Sequence, residues 1–512
     1  MGFLTSADAV PHLMEISPQA ITDLLVGEYL DTIFREPHGD FRVDWTRFLT
    51  TEPADLLYRR AVLEELRQAP AIVDRISDLS KCLSQIRALN EIGRTDYSAD
   101  MIRDFSLLQL AYSSLEALTE TLGEAIADGR IHSQGLHRLY ELCSEKLKTA
   151  FCTDFSASWV DHASGLEQLG SLRFRFSLDE ELHITGAALT AIQKERFVKG
   201  VLPSRTLKEN RQPDKPWDMA APKEMLTPLQ ELIQVQLNNN SRQFFQTLHQ
   251  ITDALEDLHT DLLFYLSALK YLAGMEKLQL STCFPEIRPA SSKEFSAVDM
   301  INPVLASLKG SDVVSNSITF APGGEILVLT GINQGGKTTF LRTVGTLQLL
   351  FQLGWPVPAR EAAISPVDKI VTVFSHEENT QLQHGKLGQE LKTIRAGLDA
   401  VTPGSLLLCN EPVTGTSPME NLFLSREVLA ACKLNGYKGV WVTHLYDLAN
   451  EADQMNQSLA GSRVSSIIAV AHHREGAVEA SYHIERGEPQ FTSYAKEVLR
   501  QETGLQSFDD SL

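Results

Sequence analysis

Three glycines, a lysine and two threonines stand at fixed spacing in Gly331-Ile332-Asn333-Gln334-Gly335-Gly336-Lys337-Thr338-Thr339. Glycines of this kind let successive backbone N–H groups turn inward around phosphate oxygens. The start of a following helix adds the positive end of its dipole. A lysine at the position of Lys337 neutralises β and γ phosphates, and a hydroxyl at Thr338 offers Mg²⁺ the hard oxygen it prefers. The apolar run Ile326 to Leu329 leads into the loop as a strand would, and a helix-forming stretch follows. Roughly 0.02 chance matches to this spacing are expected in such a chain at ordinary residue frequencies, so these residues are assigned to ATP.

Two further sites complete this chemistry. Leu406, Leu407 and Leu408 form a strand-like run that ends at Asn410 and Glu411. Glu411 is the candidate base that takes a proton from, or orients, an attacking water in phosphoryl transfer. Asn410 stands where an acid would hold the water shell of Mg²⁺ and lacks the charge to do so, so weak Mg²⁺ binding and slow hydrolysis are expected. Another apolar run, Val440 to Thr443, ends at His444, which the spacing places within reach of a γ-phosphate.

The elements that must position these residues fall into two styles. Residues 1 to 150 carry apolar positions at helical spacing, such as Leu56, Val62, Leu63 and Leu66, and predict long packed helices. Phe174 and Phe176 alternate with Arg173 and Arg175, predicting a strand in a small β insertion. Residues 194–216 hold seven Lys or Arg against three acids and read as a solvated loop, with a contact to nucleic-acid phosphates as the alternative. Helical spacing returns over 225–282. Beyond Pro285 the short apolar runs EILVLTG, KIVTVFS, SLLLCNE and KGVWVTH alternate with helix-length stretches, the pattern of an α/β sheet. The chain is therefore expected to be multidomain: a helical extension over 1–45, a helical domain over 46–290 with its insertion at about 165–216, and an α/β domain over 291–512.

Bulk properties bound the function. At 512 residues, 43% hydrophobic and 22% charged, the chain has the composition of a folded multidomain protein. Its six cysteines lack metal-ligand spacing, and reduced thiols in the cytoplasm are the expectation. No apolar run is long enough to cross a bilayer. A net charge of −20 argues against a surface coated with basic groups for non-specific nucleic-acid binding, while leaving room for a local basic patch.

The motifs also resemble those of one family. TGINQGGKTTFLR, ending at Arg342, is similar to the phosphate loop of MutS proteins; SLLLCNEPVTGTS, with Gly415, Thr416 and Ser417, resembles their acid strand and the motif after it. VTHLYDLAN resembles the segment carrying their switch histidine. LTTEPADLLYRRAVLEEL and DLLFYLSALKYLAGMEKLQLSTCFPEI resemble the first and the returning helices of the MutS core. The resemblance covers about residues 45 to 512. It implies an α-helical core and lever followed by an ABC-type P-loop ATPase domain, working as a homodimer with each nucleotide between two subunits.

Three departures from the family pattern qualify these expectations. Too few residues precede the helical core for a mismatch-reading domain, and the triplet Phe34-Arg35-Glu36 is given no base-wedging role, since Phe284-Pro285-Glu286 repeats it by chance. The partner-facing signature aligns with Gly385-Lys386-Leu387-Gly388-Gln389-Glu390-Leu391 and lacks its hydroxyl, leaving the N–H groups at Gly385 and the Lys386 amine to meet a partner's phosphate. Asn410 is the third. The leading expectation is an ATP-dependent, DNA-interacting clamp that reads branched or structured DNA; the alternative is a slow or non-hydrolysing dimeric scaffold that recruits proteins. A transporter ATPase subunit fits worse, because KLGQE is a poor glycine-rich signature.

Overall fold

In the computed structural model the residues described are Leu4, 13–36, 43–91, 101–149, 171–178, 184–193, 253–375, 385–474 and 477–489. The basic segment 194–216 and the helical stretch 225–252 expected from sequence lie outside them.

Proline punctuates the helices as its chemistry requires. Pro53 opens the helix Pro53–Gln68 and Pro70 opens Pro70–Glu91, because the ring fixes a helical φ and its missing N–H costs nothing in a first turn. Helices Met101–Ala127 and Gln134–Thr149 come next, and residues 253–277 form another. The strands are, in chain order, β1 (Glu15–Ile16), β2 (Ser171–Leu178), β3 (Ile184–Gln193), β4 (Glu286–Ile287), β5 (Phe295–Met300), β6 (Asn316–Thr319), β7 (Glu325–Gly331), β8 (Glu361–Ile364), β9 (Lys369–Phe374), β10 (Leu406–Asn410), β11 (Lys438–Val442), β12 (Arg463–Arg474) and β13 (Ala477–Arg486). Among the described residues the fold is thus mixed, with helices and α/β sheet.

Four apolar runs singled out in the sequence become β7, β9, β10 and β11. They lie side by side in the order β9-β10-β11-β7, all parallel. Parallel strands covered on both faces read as unbroken apolar runs. The register matters for function: Asn410 pairs with Val442 and with Phe374, and Val442 pairs with Leu329. Three strands therefore end level, and the loops that leave them start from one edge of the sheet. On the far side β12 pairs with β7 and then turns back as β13. A second sheet has the order β4-β8-β5-β6, and β2 and β3 pair antiparallel as the expected insertion hairpin.

The described residues separate into two compact units. The first holds Met1–Ser77, Ala125–Arg138 and Leu258–Leu512, the second Asp78–Glu124 and Leu139–Asp257. Within the first unit the reason is visible. β1 joins the α/β sheet at its edge beside β9. Phe34 is fully buried and stacks on Phe48 and Trp355, with Phe264 and Tyr271 completing an aromatic core. Arg59, also buried, donates to the carbonyls of Phe48, Leu353 and Leu4, and so ties the helix Pro53–Gln68 to the end of the helix Lys337–Gln352. Phe34 is consumed by packing, and Glu36 of the same triplet lies buried beside His259. Among the described residues no helix is long and apolar enough to cross a membrane.

Candidate functional site

β7 leaves its sheet at Gly331, where a side chain would come within 2.7 Å of Ala469 Cβ. Gln334 and Gly336 take positive φ values of 59° and 89°, and the chain enters the helix Lys337–Gln352 with Gly336 as a cap lacking any side-chain acceptor. The first-turn N–H groups are thus left without the usual capping oxygen, the arrangement that favours an anion. Asn333 and Gln334 form the exposed tip of the loop, while Gly335 folds under it and donates to the carbonyl of Ile332.

Lys337 is only 6% exposed, and its ammonium donates to the carbonyls of Gly331 (3.0 Å) and Ile332 (2.8 Å) at the centre of the loop. Burial pulls its pKa down, and the nearby Glu411 carboxylate opposes that shift. Thr338, one residue on, donates its hydroxyl to Asn410 Oδ1 at 3.1 Å. The amide at 410 therefore supplies the acceptor that an acid would supply there, without the charge. Thr339 is part of the same helix, where its carbonyl accepts the hydroxyl of Thr343.

Glu411 has a left-handed backbone, φ 50°, stabilised by its N–H donating to the carbonyl of Val442 on the neighbouring strand. Its carboxylate lies 2.8 Å from His444 Nε2. That hydrogen bond holds the Glu411 carboxyl below the ordinary carboxylate range; burial pushes the other way, and the charges of His444 and Lys337 add to the lowering. The sequence placed His444 at a γ-phosphate; the structure places its Nε2 against the candidate base. Gly385 and Lys386 open a different helix, Lys386–Ala400, and do not line the cleft that contains the loop.

The cleft has a volume of about 350 Å³, within the usual range for small-molecule sites. The loop, Thr338, Glu411, Val313, Val314 and Tyr482 are among the residues that line it. Tyr482 was not legible in the sequence. The register of β12 against β13 shifts between Ala469 and Ala471, and the extra residues on β13 put Tyr482 at φ 61° beside Gly336. Asn316 fixes this bulge from β6, donating to the carbonyl of Tyr482 (3.1 Å) and accepting the N–H of Ile484 (2.6 Å). Ser-Tyr-His-Ile reads as ordinary strand alternation, and only the slip against β12 brings Tyr482 to the cleft.

Glu390 also went unassigned, although the signature alignment contained it. Its buried carboxylate accepts the N–H (3.0 Å) and hydroxyl (2.6 Å) of Thr414 and the N–H of Gly415 (2.9 Å). It thereby fixes the turn that presents Thr416 and Ser417.

Two family models match the chain. The MutS2 N-terminal domain covers residues 51–278 and MutS domain V covers residues 327–503, the stretch that holds the loop, Asn410, Glu411 and His444. The chain belongs to the MutS family. It is similar to an endonuclease MutS2 of Thermus thermophilus, 32% identical over 161 residues, which is 31% of this chain and 21% of that protein. A DNA mismatch repair protein MutS of Brevibacillus brevis is 28% identical over 206 residues, 39% of this chain and 23% of that one. The MutS of Bacillus velezensis aligns over 465 residues at 22% identity, covering 86% of this chain and 50% of the relative. The chain spans half or less of the length of these MutS relatives. Its helical half matches a MutS2 domain, a distinction within the family that the motifs alone did not draw.

Proposed function

We propose that this MutS-family chain is a nucleotide-gated switch that binds ATP with Mg²⁺, hydrolyses it slowly and acts on DNA as a clamp. The P-loop ATPase domain spans 291–512 and the helical core and lever span 46–290. The observation that carries this reading is the level ending of β10 and β11 beside β7, which brings Lys337, Thr338 and Glu411 to one cleft, with Asn410 bonded to Thr338 and His444 to Glu411. The loop from Gly331 to Thr339 would surround the phosphates, with Val313, Val314 and Tyr482 facing the base.

The donors present fit Mg²⁺, since Thr338 and Asn410 offer hard oxygens. Bound there, the ion would offset phosphate charge. In hydrolysis Glu411 takes the proton of a water whose oxygen attacks the γ-phosphorus as the bond to the β–γ bridging oxygen breaks and ADP leaves. His444 holds that carboxylate in the basic form. A second copy would bring Gly385 and Lys386 to the phosphates across a dimer. DNA as the partner is carried by the relatives, two of which are named as DNA mismatch repair proteins.

One observation favours a slower, scaffold-like protein: Asn410 is neutral and Glu411 is engaged by His444. Steady-state ATP hydrolysis with duplex and branched DNA, for the wild type, Lys337→Ala and Glu411→Ala, separates the two. DNA-stimulated turnover lost in both variants is expected of the clamp. ATP binding without turnover and without any response to DNA supports the scaffold.

A further inference from the structure

The residues before position 51 fall outside both matched family regions, yet Glu15 to Leu24 contact β9 and the helix Lys337–Gln352 that carries Thr338. Glu15 and Ile16 pair in parallel with Lys369 and Ile370 of β9, and Glu15 adds an ion pair to Lys369 at 2.7 Å. Ser17 then caps the helix Pro18–Leu24, which lays two side chains against the interior. Asp23 is 6% exposed; its carboxylate accepts the hydroxyl of Thr372 on β9 (2.6 Å) and the amide of Gln19 (2.9 Å). Its carbonyl accepts Arg342 Nε at 2.7 Å.

These attachments converge on the helix that carries Thr338 and the strands beside Asn410. Arg342 lies one helical turn after Thr338, and its guanidinium sits 5.9 Å over the ring of Phe374, the residue in register with Asn410. Leu24 is fully buried at Gly345 of the same helix, so close that an added Cβ would meet Leu24 Cδ2 at 2.6 Å and Leu408 Cδ1 at 2.9 Å. Leu408 stands two residues before Asn410 on β10. The segment thus fixes the helix bearing Thr338 against the two strands that set Asn410.

We propose that residues 13–25 are a positioning brace for the Thr338–Asn410 pair, with Asp23 and Leu24 as its positioning residues. The proposal rests on the assignment of the cleft to nucleotide and Mg²⁺. Loosening the brace lets β9 and β10 shift against the helix, which moves Asn410 away from Thr338 while leaving the loop, Lys337 and the first-turn N–H groups in place. The loss therefore falls on the Mg²⁺-dependent part of nucleotide binding.

The test measures binding of a fluorescent ATP analogue to the full chain, with Mg²⁺ and with EDTA, where circular dichroism reports each variant folded. Thr372→Val and Asp23→Asn should weaken binding in Mg²⁺ by about three- to tenfold, the worth of one hydrogen bond, and leave binding in EDTA unchanged. Leu24→Ala should weaken it further, and Thr372→Ser should behave as wild type. Equal losses in both conditions, or a lowered melting temperature with unchanged affinities, would overturn the brace alone. A wild type that binds in neither condition would overturn the nucleotide assignment and the brace with it.

Discussion

At the scale of single residues, the site is governed by which polar groups are charged and what each can reach. Asn410 accepts from Thr338 as an acid would, so Asn410→Asp restores charge without moving the acceptor. We expect it to tighten Mg²⁺-dependent ATP binding by about tenfold, since an ionised acceptor roughly doubles the strength of such a bond. Isothermal titration with and without Mg²⁺ checks this, and no gain would mean that the cation is held elsewhere. Lys438, at the opposite end of the sheet, has a buried amine with no hydrogen-bond partner. Burial, helped by the charge of Lys293, pulls its pKa from 10.5 to about 7. The unfolded chain binds more protons than the folded one between these values, so this group's destabilisation is full below the folded pKa and fades as pH rises toward the unfolded one. Lys438→Met should be more stable than wild type, with the gain shrinking from neutral to alkaline pH in urea unfolding. A gain that grows with pH would contradict the assignment. Glycine spacing, Lys337, Thr338 and Glu411 were legible because their chemistry is local. The bond from His444 to Glu411 was not, since it depends on two strands ending level.

Among the elements, the parallel strands were readable because burial on both faces leaves little room for polar residues, and each run from EILVLTG to KGVWVTH announced itself. β1 was not, because two residues at an edge carry no pattern; its partner is known only when β9 is in place. The bulge at Tyr482 escaped for a similar reason. The helix Pro53–Gln68 was expected, but nothing local marks Arg59 as the residue that reaches three distant carbonyls. Phe34 shows how packing decides between roles. It stacks on Phe48 at 5.9 Å and on Trp355 at 5.1 Å between ring centroids, so it belongs to the join between the N-terminal segment, the helix 253–277 and the chain after the nucleotide helix. Phe34→Ala should lower stability by about 3–5 kcal/mol, the usual cost of removing a buried aromatic ring, measured by thermal or urea unfolding. A variant of unchanged stability with weakened DNA binding would instead restore a base-contacting role.

For the whole molecule, the net charge of −20 and the proposed DNA contact pull in opposite directions, so any contact with phosphates must be local. The segment 194–216, with seven basic residues, is the candidate. Exchanging its Lys and Arg for Gln should weaken DNA binding and flatten its salt dependence, with ATP affinity unaltered; an unchanged salt slope would move the DNA contact elsewhere. The division into helical and α/β halves was readable from periodicity. The enclosure of the first 77 residues with the α/β half was not, because it rests on contacts between residues hundreds of positions apart. That enclosure also sets an order of events during synthesis. Glu15 and Ile16 leave the ribosome early, whereas Lys369 and Ile370, the residues they pair with, emerge only tens of seconds later at about 5–20 residues per second. Throughout that interval the edge of the sheet does not exist, and Glu15 and Ile16 wait, unpaired, for partners at Lys369 and Ile370.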